Sequence, residues 1–261
     1  MNRLEQIQYL IGVLLKEMPV YQTQAKDFPR DEQSQRRLLR SLMNVRPPLP
    51  LDVEFLAVQD ELLLAEREEK GVVDAAALPV SASDSRLILW QGDITRLSVD
   101  AIVNAANSAL LGCFVPCHGC IDNAIHSAAG LQLRDACNRL MEQQGHPEPT
   151  GQAKLTAGYN LPARYVLHTV GPIVQGRVSR HDRELLASCY RSCLELAAEY
   201  GLRSVAFCCI STGEFHFPAE LAAETAIGTV REWQQQNPDK IEVIFNVFKD
   251  SDYEIYRRLL R

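Results

Sequence analysis

Apolar residues in the N-terminal quarter of the chain recur at intervals of three and four. Beyond it they gather into short runs separated by amphipathic stretches. Leu4, Ile7, Leu10, Ile11, Leu14 and Leu15 share one helical face and predict a first helix. Asp31 is placed to cap a second, carrying Leu38, Leu39, Leu42 and Met43, which Pro47-Pro48-Leu49-Pro50 ends. A third runs from about Asp52 through Phe55, Leu56, Leu62 and Leu63 to Gly71, and Glu66–Lys70 reads as its solvated end. The Ala- and Ser-rich stretch from Asp74 to Ser85 is expected to be a linker. Residues 1–73 thus form a helical N-terminal extension and residues 86–261 the main domain.

The second part alternates. Strands are predicted at Arg86–Gln91, Ala101–Val103, Arg164–Val170, Ser204–Ile210 and Ile241–Val247. Helices are predicted at Ile121–Ala129, Leu131–Gln144, Arg183–Tyr200, Ala219–Gln235 and Tyr253–Leu260. Ser204–Ile210 is almost continuously apolar, as a strand buried on both faces would be. Such alternation predicts an α/β sandwich around a parallel or mixed sheet, whose ligands bind beyond the carboxyl ends of the strands.

Composition narrows the classes. The 261 residues are 46% apolar, ample for a packed core. A net charge of −6 argues against a general nucleic-acid or anionic-membrane binder. No run approaches a membrane span, and the short apolar run Leu10–Leu15 meets Lys16-Glu17 at once, unlike a secretory signal. Eight cysteines at irregular spacings, with no export signal, fit a reduced cytoplasm better than a disulfide framework. A cytoplasmic monomer is expected.

Three of those cysteines lie in the loop Leu111-Gly-Cys-Phe-Val-Pro-Cys-His-Gly-Cys-Ile-Asp122. Thiolate and imidazole are the donors zinc prefers, so Cys113, His118 and Cys120 read as its ligands. Cys117 adjoins His118, and in an extended loop neighbouring side chains point to opposite sides. Three protein ligands leave one tetrahedral position open, which marks a catalytic zinc.

Three further segments follow strands. Asp93 in Gln91-Gly-Asp-Ile-Thr95 is by default a turn former or helix cap, and alternatively a carboxylate for an amine such as the adenine amino group. Asn104-Ala-Ala-Asn107 offers amides matched to ribose hydroxyls. Ser211-Thr-Gly-Glu-Phe-His-Phe-Pro218 precedes a helix and presents N–H groups and hydroxyls suited to phosphate. With the cysteine loop, these segments describe one crevice.

Gly92–Thr95, Val103–Asn107, Ile121–His126, Gly151–Pro162, His168–Pro172 and Ser211–Gly213 together resemble the macrodomain family in content and order, across Arg86 to Arg261. The implied fold is a three-layer α/β/α macrodomain with a central mixed sheet, preceded here by a small helical extension. Where many macrodomains carry a run of glycines, this chain has the cysteine loop, and its second loop is less glycine-rich. Those departures and the extension resemble the zinc-dependent subgroup, microbial enzymes that hydrolyse mono-ADP-ribose from acidic side chains of proteins. Some are linked to a sirtuin-type transferase and a lipoyl-carrier protein, neither of which is visible in the sequence.

The resemblance implies that Asp93 takes the adenine amino group and the Ile94 backbone the base edge. Asn107 would contact the distal ribose, which Cys120, Ile121 and Asp122 would border. Ser211, Thr212, Gly213, Glu214 and Phe215 would wrap the diphosphate and that ribose. The implied zinc ligands are again Cys113, His118 and Cys120. Asp122, the only carboxylate in the loop, is the first candidate to position or deprotonate the attacking water, with Asn107 beside it and Glu214 as a second base. His168 and His126 are expected as core residues, and Cys137, Cys189, Cys193, Cys208 and Cys209 as core thiols. Rival expectations are a non-catalytic ADP-ribose reader, with Cys117 closing a structural zinc site, and hydrolysis of a small phosphorylated or acetylated ADP-ribose. A Cys117 nucleophile remains a further alternative.

Overall fold

The computed structural model describes residues 1–81, 84–238 and 241–261. Four helices open the chain: α1 (Arg3–Glu17), α2 (Gln22–Lys26), α3 (Glu32–Val45) and α4 (Val53–Lys70). Each long one starts at a side-chain cap: Asn2 accepts from the Glu5 N–H, Asp31 from Ser34 and Asp52 from Phe55. These caps satisfy amides that the helix cannot. Ile7, Leu10, Leu14, Leu39, Leu42, Phe55 and Leu62 form a core of their own, which Leu131 of the following domain joins. No helix among the described residues is long and apolar enough to cross a membrane.

Next come β1 (Val73–Asp74), β2 (Leu87–Gln91), β3 (Leu97–Ser98), β4 (Ala101–Ala105), α5 (Ile121–Ala129) and α6 (Leu131–Gln144). The chain closes with β5 (Ala153–Ala157), β6 (Tyr165–Thr169), α7 (Arg180–Glu199), β7 (Ser204–Phe207), α8 (Ala219–Gln236), β8 (Glu242–Val247) and α9 (Asp250–Leu259). Six strands form one sheet in the order β2-β8-β7-β4-β6-β5. All pairs are parallel except β5, which runs antiparallel to β6 at one edge. Helices flank this mixed sheet, with α5 against β4, α7 against β5 and β6, and α9 against β2 and β8.

The stretch expected as a linker is tied down at both ends. Val73 and Asp74 pair in parallel with Leu97 and Ser98, and Val80 bridges to Ile88, while positions 82 and 83 lie outside the described residues. The extension packs on the rest through α3 and α4, both of which contact α5. The Leu131 N–H donates to Gln59 Oε1 at 2.9 Å, and Asp60 accepts from Gln132 and Asn160. Gln59 is fully buried and its side-chain donor is also satisfied, by Gln132. A buried polar seam of this kind fixes the orientation of the packed helices.

Candidate active site

The segments singled out from sequence lie where parallel strands end. β2 runs into Gly92-Asp93, β4 into Ala106-Asn107, and β7 leads through Cys208-Cys209 to Ser211. Asp93 Oδ1 accepts from the Thr95 N–H at 3.0 Å and the Thr95 hydroxyl at 2.7 Å, starting a short turn that buries Ile94. The Asp93 carboxylate borders a cavity of about 130 Å³ between α3, α4 and α5, lined also by Arg36, Arg40 and Arg96.

The cysteine loop converges as its donor spacing suggested. One donor atom from each of Cys113, His118 and Cys120 lies within 4.8 Å of the others, and all three residues are half-buried. His118 Nδ1 stands 3.6 Å from Cys113 Sγ. Sulfur and nitrogen sharing one tetrahedral zinc at the usual bond lengths are about 3.6 Å apart. His118 Nε2 faces the other way, 3.8 Å from Glu214 Oε1. A ligating imidazole with a carboxylate behind it is a common arrangement around zinc. The donor set therefore fits that ion. Burial pushes the Cys120 thiol up to about 11, and the nearby Cys113 adds to this, while the Asn123 N–H at the start of α5 opposes it. A cation would reverse the balance by binding the thiolate.

Cys117 is turned elsewhere. Its backbone sits at φ 52°, and its Sγ lies 3.3 Å from the Ser41 hydroxyl and 3.6 Å from the Arg37 carbonyl, both on α3. That placement does not supply a fourth ligand for a closed structural site.

Asp122, in the first turn of α5, is only 5% exposed. Its Oδ1 accepts from Asn104 Nδ2 at 2.8 Å and its Oδ2 from Asn107 Nδ2 at 3.3 Å. Burial raises its pKa to about 6, against the opposing pull of the Asn104 amide and the Arg134 guanidinium. Asn107 also donates to the Gly112 carbonyl at 3.0 Å, joining the carboxylate to the start of the cysteine loop. Gly112 is at φ 81°, and a Cβ there would fall 2.9 Å from the His126 ring. The residue must be glycine for both reasons.

The second loop closes on the first through Glu214 and His118. Ser211, at φ 64°, is held by the Phe217 N–H donating to its carbonyl, and Phe215 accepts at its carbonyl from the Val174 N–H. The buried Ser211 hydroxyl has no hydrogen-bond partner among the described residues. It packs against Gly171, where an added Cβ would fall 2.0 Å from the Ser211 oxygen. Thr212 is half-buried, its hydroxyl donating to the Cys209 carbonyl, while Gly213 and Glu214 are exposed. Ile121 is half-buried beside Cys120.

Several contributors escaped the sequence reading. Asn104 is fully buried on β4 and orients Asp122, although only Asn107 of that motif was singled out as a site residue. An amide in an otherwise apolar central strand was the available signal. Asn123, also fully buried, donates to the Val115 carbonyl at 3.0 Å and so fixes the cysteine loop from α5. His168 is a hydrogen-bonded core residue, its Nε2 paired with the Thr156 hydroxyl at 2.9 Å and its Nδ1 3.2 Å from Asn104 Nδ2. His126 is buried beneath Gly112, its Nε2 3.5 Å from Asp122 Oδ1.

Burial alone lowers the His168 pKa from 6.5 to about 4. The unfolded chain then binds a proton in a range where the folded one does not, so stability is intact above pH 6.5 and is lost as pH falls toward 4. We expect metal-free protein to lose about 2 kcal/mol between pH 7 and 5 from this residue. Urea unfolding of the unaltered chain and of His168→Gln at the two pH values separates it from the contributions of His126 and Asp122, and an equal loss in both proteins would contradict it.

The fold is that of an α/β protein with these segments at the strand ends of a mixed sheet, where folds of this kind take their ligands. The chain belongs to the Macro domain family, whose model matches residues 103–226. It is 51% identical over its full length to a protein of Treponema medium named protein-ADP-ribose hydrolase, and it covers that protein completely. A Staphylococcus aureus protein of the same name is 50% identical, over 84% of this chain and 82% of the relative. A Trypanosoma brucei macrodomain solved in complex with ADP-ribose superposes with a TM-score of 0.67 at 33% identity, over 85% of this chain and 95% of the other. Identity of about half with relatives named as hydrolases supports an enzyme.

Proposed function

We propose that this chain hydrolyses mono-ADP-ribose from aspartyl or glutamyl side chains of modified proteins, with one zinc held by Cys113, His118 and Cys120. The observation that carries it is the convergence of those three donors within 4.8 Å, with Asp122 buried two residues beyond Cys120. The hydrolase name of the half-identical relatives supports the bond that is broken. The zinc extends the reading to this chain's own cysteine loop.

In this reading Asp93 receives the adenine amino group, and the Ile94 backbone receives the base edge. The Ser211 to Phe215 turn wraps the diphosphate. Asn107, with Cys120, Ile121 and Asp122, surrounds the distal ribose. When bound, zinc supplies either Lewis acidity or a water whose pKa is lowered to about 7. Asp122 positions the attacking water and takes its proton. The bond between C1″ and the side-chain carboxylate breaks, water supplies the oxygen, and ADP-ribose and a free carboxylate leave. Asn104 and Asn107 hold the Asp122 oxygens still for that transfer. Glu214, mostly exposed, orients His118 from the opposite loop.

The test is a carrier protein mono-ADP-ribosylated on carboxylates, incubated with metal-quantified enzyme with and without a strong chelator. Arginine- and serine-linked carriers serve as controls. We expect release from the carboxylate-linked carrier only, abolished by chelation and restored by zinc. Undiminished release from protein shown to be zinc-free would sink the metal role. Tight ADP-ribose binding without release would sink the hydrolase reading.

A further inference from the structure

The N-terminal helices have no part in the chemistry so far described, yet α3 makes specific contacts with the cysteine loop. Asn44 Oδ1 accepts from the Cys117 N–H at 2.9 Å, and Asn44 Nδ2 donates to the Ser127 hydroxyl at 3.0 Å. Asn44 is 2% exposed and lies at the end of α3 that meets α5. The residue it holds is strained: Cys117 is a non-glycine residue at positive φ, directly before the ligand His118. Such a conformation persists only when surrounding contacts enforce it.

A second tie passes through α5. Arg40 Nη2 donates to Asn123 Oδ1 at 2.8 Å, and the Asn123 amide donates to the Val115 carbonyl inside the loop. Arg134 of α6 makes a third. Its guanidinium donates to the Leu111 carbonyl at 2.7 Å, where the loop begins, and to the Met43 and Arg46 carbonyls at the end of α3. The same group lies 4.4 Å over the Phe114 ring. Burial lowers its pKa to about 10, which still leaves it charged at neutral pH. Loop, α3 and α6 therefore meet on a single cation.

We propose that α3 is a working part of the metal site, with Asn44 and Arg40 as positioning residues that hold the cysteine loop in its metal-binding shape. This rests on the zinc reading above. The three ligands span Cys113 to Cys120, a loop with no secondary structure of its own between Leu111 and Cys120. Left alone, its conformational freedom would oppose bringing three donors together. The extension removes that freedom before the ion arrives. Partners that orient ligands without touching the metal commonly change its affinity by 10- to 100-fold.

The test measures zinc affinity of the full-length chain by competition with a chromophoric chelator, with circular dichroism confirming the fold. Asn44→Ala is expected to weaken zinc binding about 10- to 100-fold and Arg40→Met about tenfold. Asn44→Asp, which keeps an acceptor for the Cys117 N–H, is expected to restore most of the loss. Leu14→Ala loosens the core of the extension without touching the loop and is expected to bind zinc as the unaltered chain does. Unchanged affinity in folded Asn44→Ala and Arg40→Met proteins overturns the proposal. So does an equal loss in Leu14→Ala, which would reduce the effect to general stability. Should Asn44→Ala not fold, Arg40→Met against Leu14→Ala decides alone. An unaltered chain that takes up no zinc overturns the zinc reading and this inference together, whereas zinc bound equally by all variants overturns only this one.

Discussion

Replacing His118 by Ala is expected to give a folded protein that no longer holds stoichiometric zinc and releases ADP-ribose at least about a hundredfold more slowly. A bound metal contributes several kcal/mol of transition-state stabilisation, and each 1.36 kcal/mol is about tenfold in rate. With three protein donors the site has none in reserve, so losing one costs most of the affinity. The His118 side chain is a third exposed and lies outside the hydrophobic core of the described residues, so its truncation should leave the fold intact. That separates a metal effect from unfolding. Cys113→Ala should behave alike. Cys117→Ala should keep its zinc, because that thiol sits on Ser41 and Arg37. Metal content and single-turnover release decide the matter together. A His118→Ala protein that turns over normally removes zinc from the mechanism, and a Cys117→Ala protein that loses zinc restores the closed structural site.

The fold was largely legible because its buried elements carry periodic signals. α1, α3 and α4 are amphipathic or well capped, and β6, β7 and β8 are nearly continuous apolar runs. β5 was missed. Its residues Ala-Lys-Leu-Thr-Ala do alternate apolar and polar, but over five positions with one large apolar side chain, too short a pattern to stand out. Burial on this edge strand does not follow the alternation either, since Thr156 is buried and Ala157 exposed. The predicted strand Ser204–Ile210 overran β7, whose pairing ends at Phe207, since Cys208 and Ile210 are buried by the turn that follows. Val73–Asp74 was placed at the edge of a linker, because a two-residue pairing leaves no pattern to read.

The cysteine loop was legible for a different reason: its donors are close in sequence and chemically unusual. The residues that shape it are not close. Asn44 reaches Cys117 across 73 positions and Arg40 reaches Asn123 across 83. No local pattern announces an amide on one helix that satisfies a single N–H in a distant loop. Cys117 does look away from the donors, but not through the alternation of an extended loop: it sits in a turn at φ 52°, and α3 receives its thiol, neither of which the sequence announces. Asn104 stands between the two cases. Its position in a buried strand was visible, but the carboxylate it serves lies 18 residues away.

Asp122→Asn is expected to lower kcat by about 10²- to 10⁴-fold, the range that a positioned general base contributes. The same variant should keep its zinc and bind ADP-ribose within about tenfold of the unaltered chain, since the proposed metal donors and the segments proposed for adenine and diphosphate are untouched. Its stability should change little, because two effects oppose. An amide at this position must turn an NH₂ toward one of the two asparagine donors, which costs about 1–3 kcal/mol. It also removes a buried charge, whose desolvation is what raises the Asp122 pKa to about 6. Glu214→Gln provides the contrast. Its side chain is 74% exposed and stands behind His118 instead of beside Asn107, so a loss of only a few fold is expected, with slightly weaker zinc binding. Rapid-mixing measurements on zinc-loaded protein distinguish the two. If Asp122→Asn turns over within tenfold of the unaltered chain while Glu214→Gln is inactive, the proton leaves through the second loop, and the asparagine cradle around Asp122 serves the shape of the site alone.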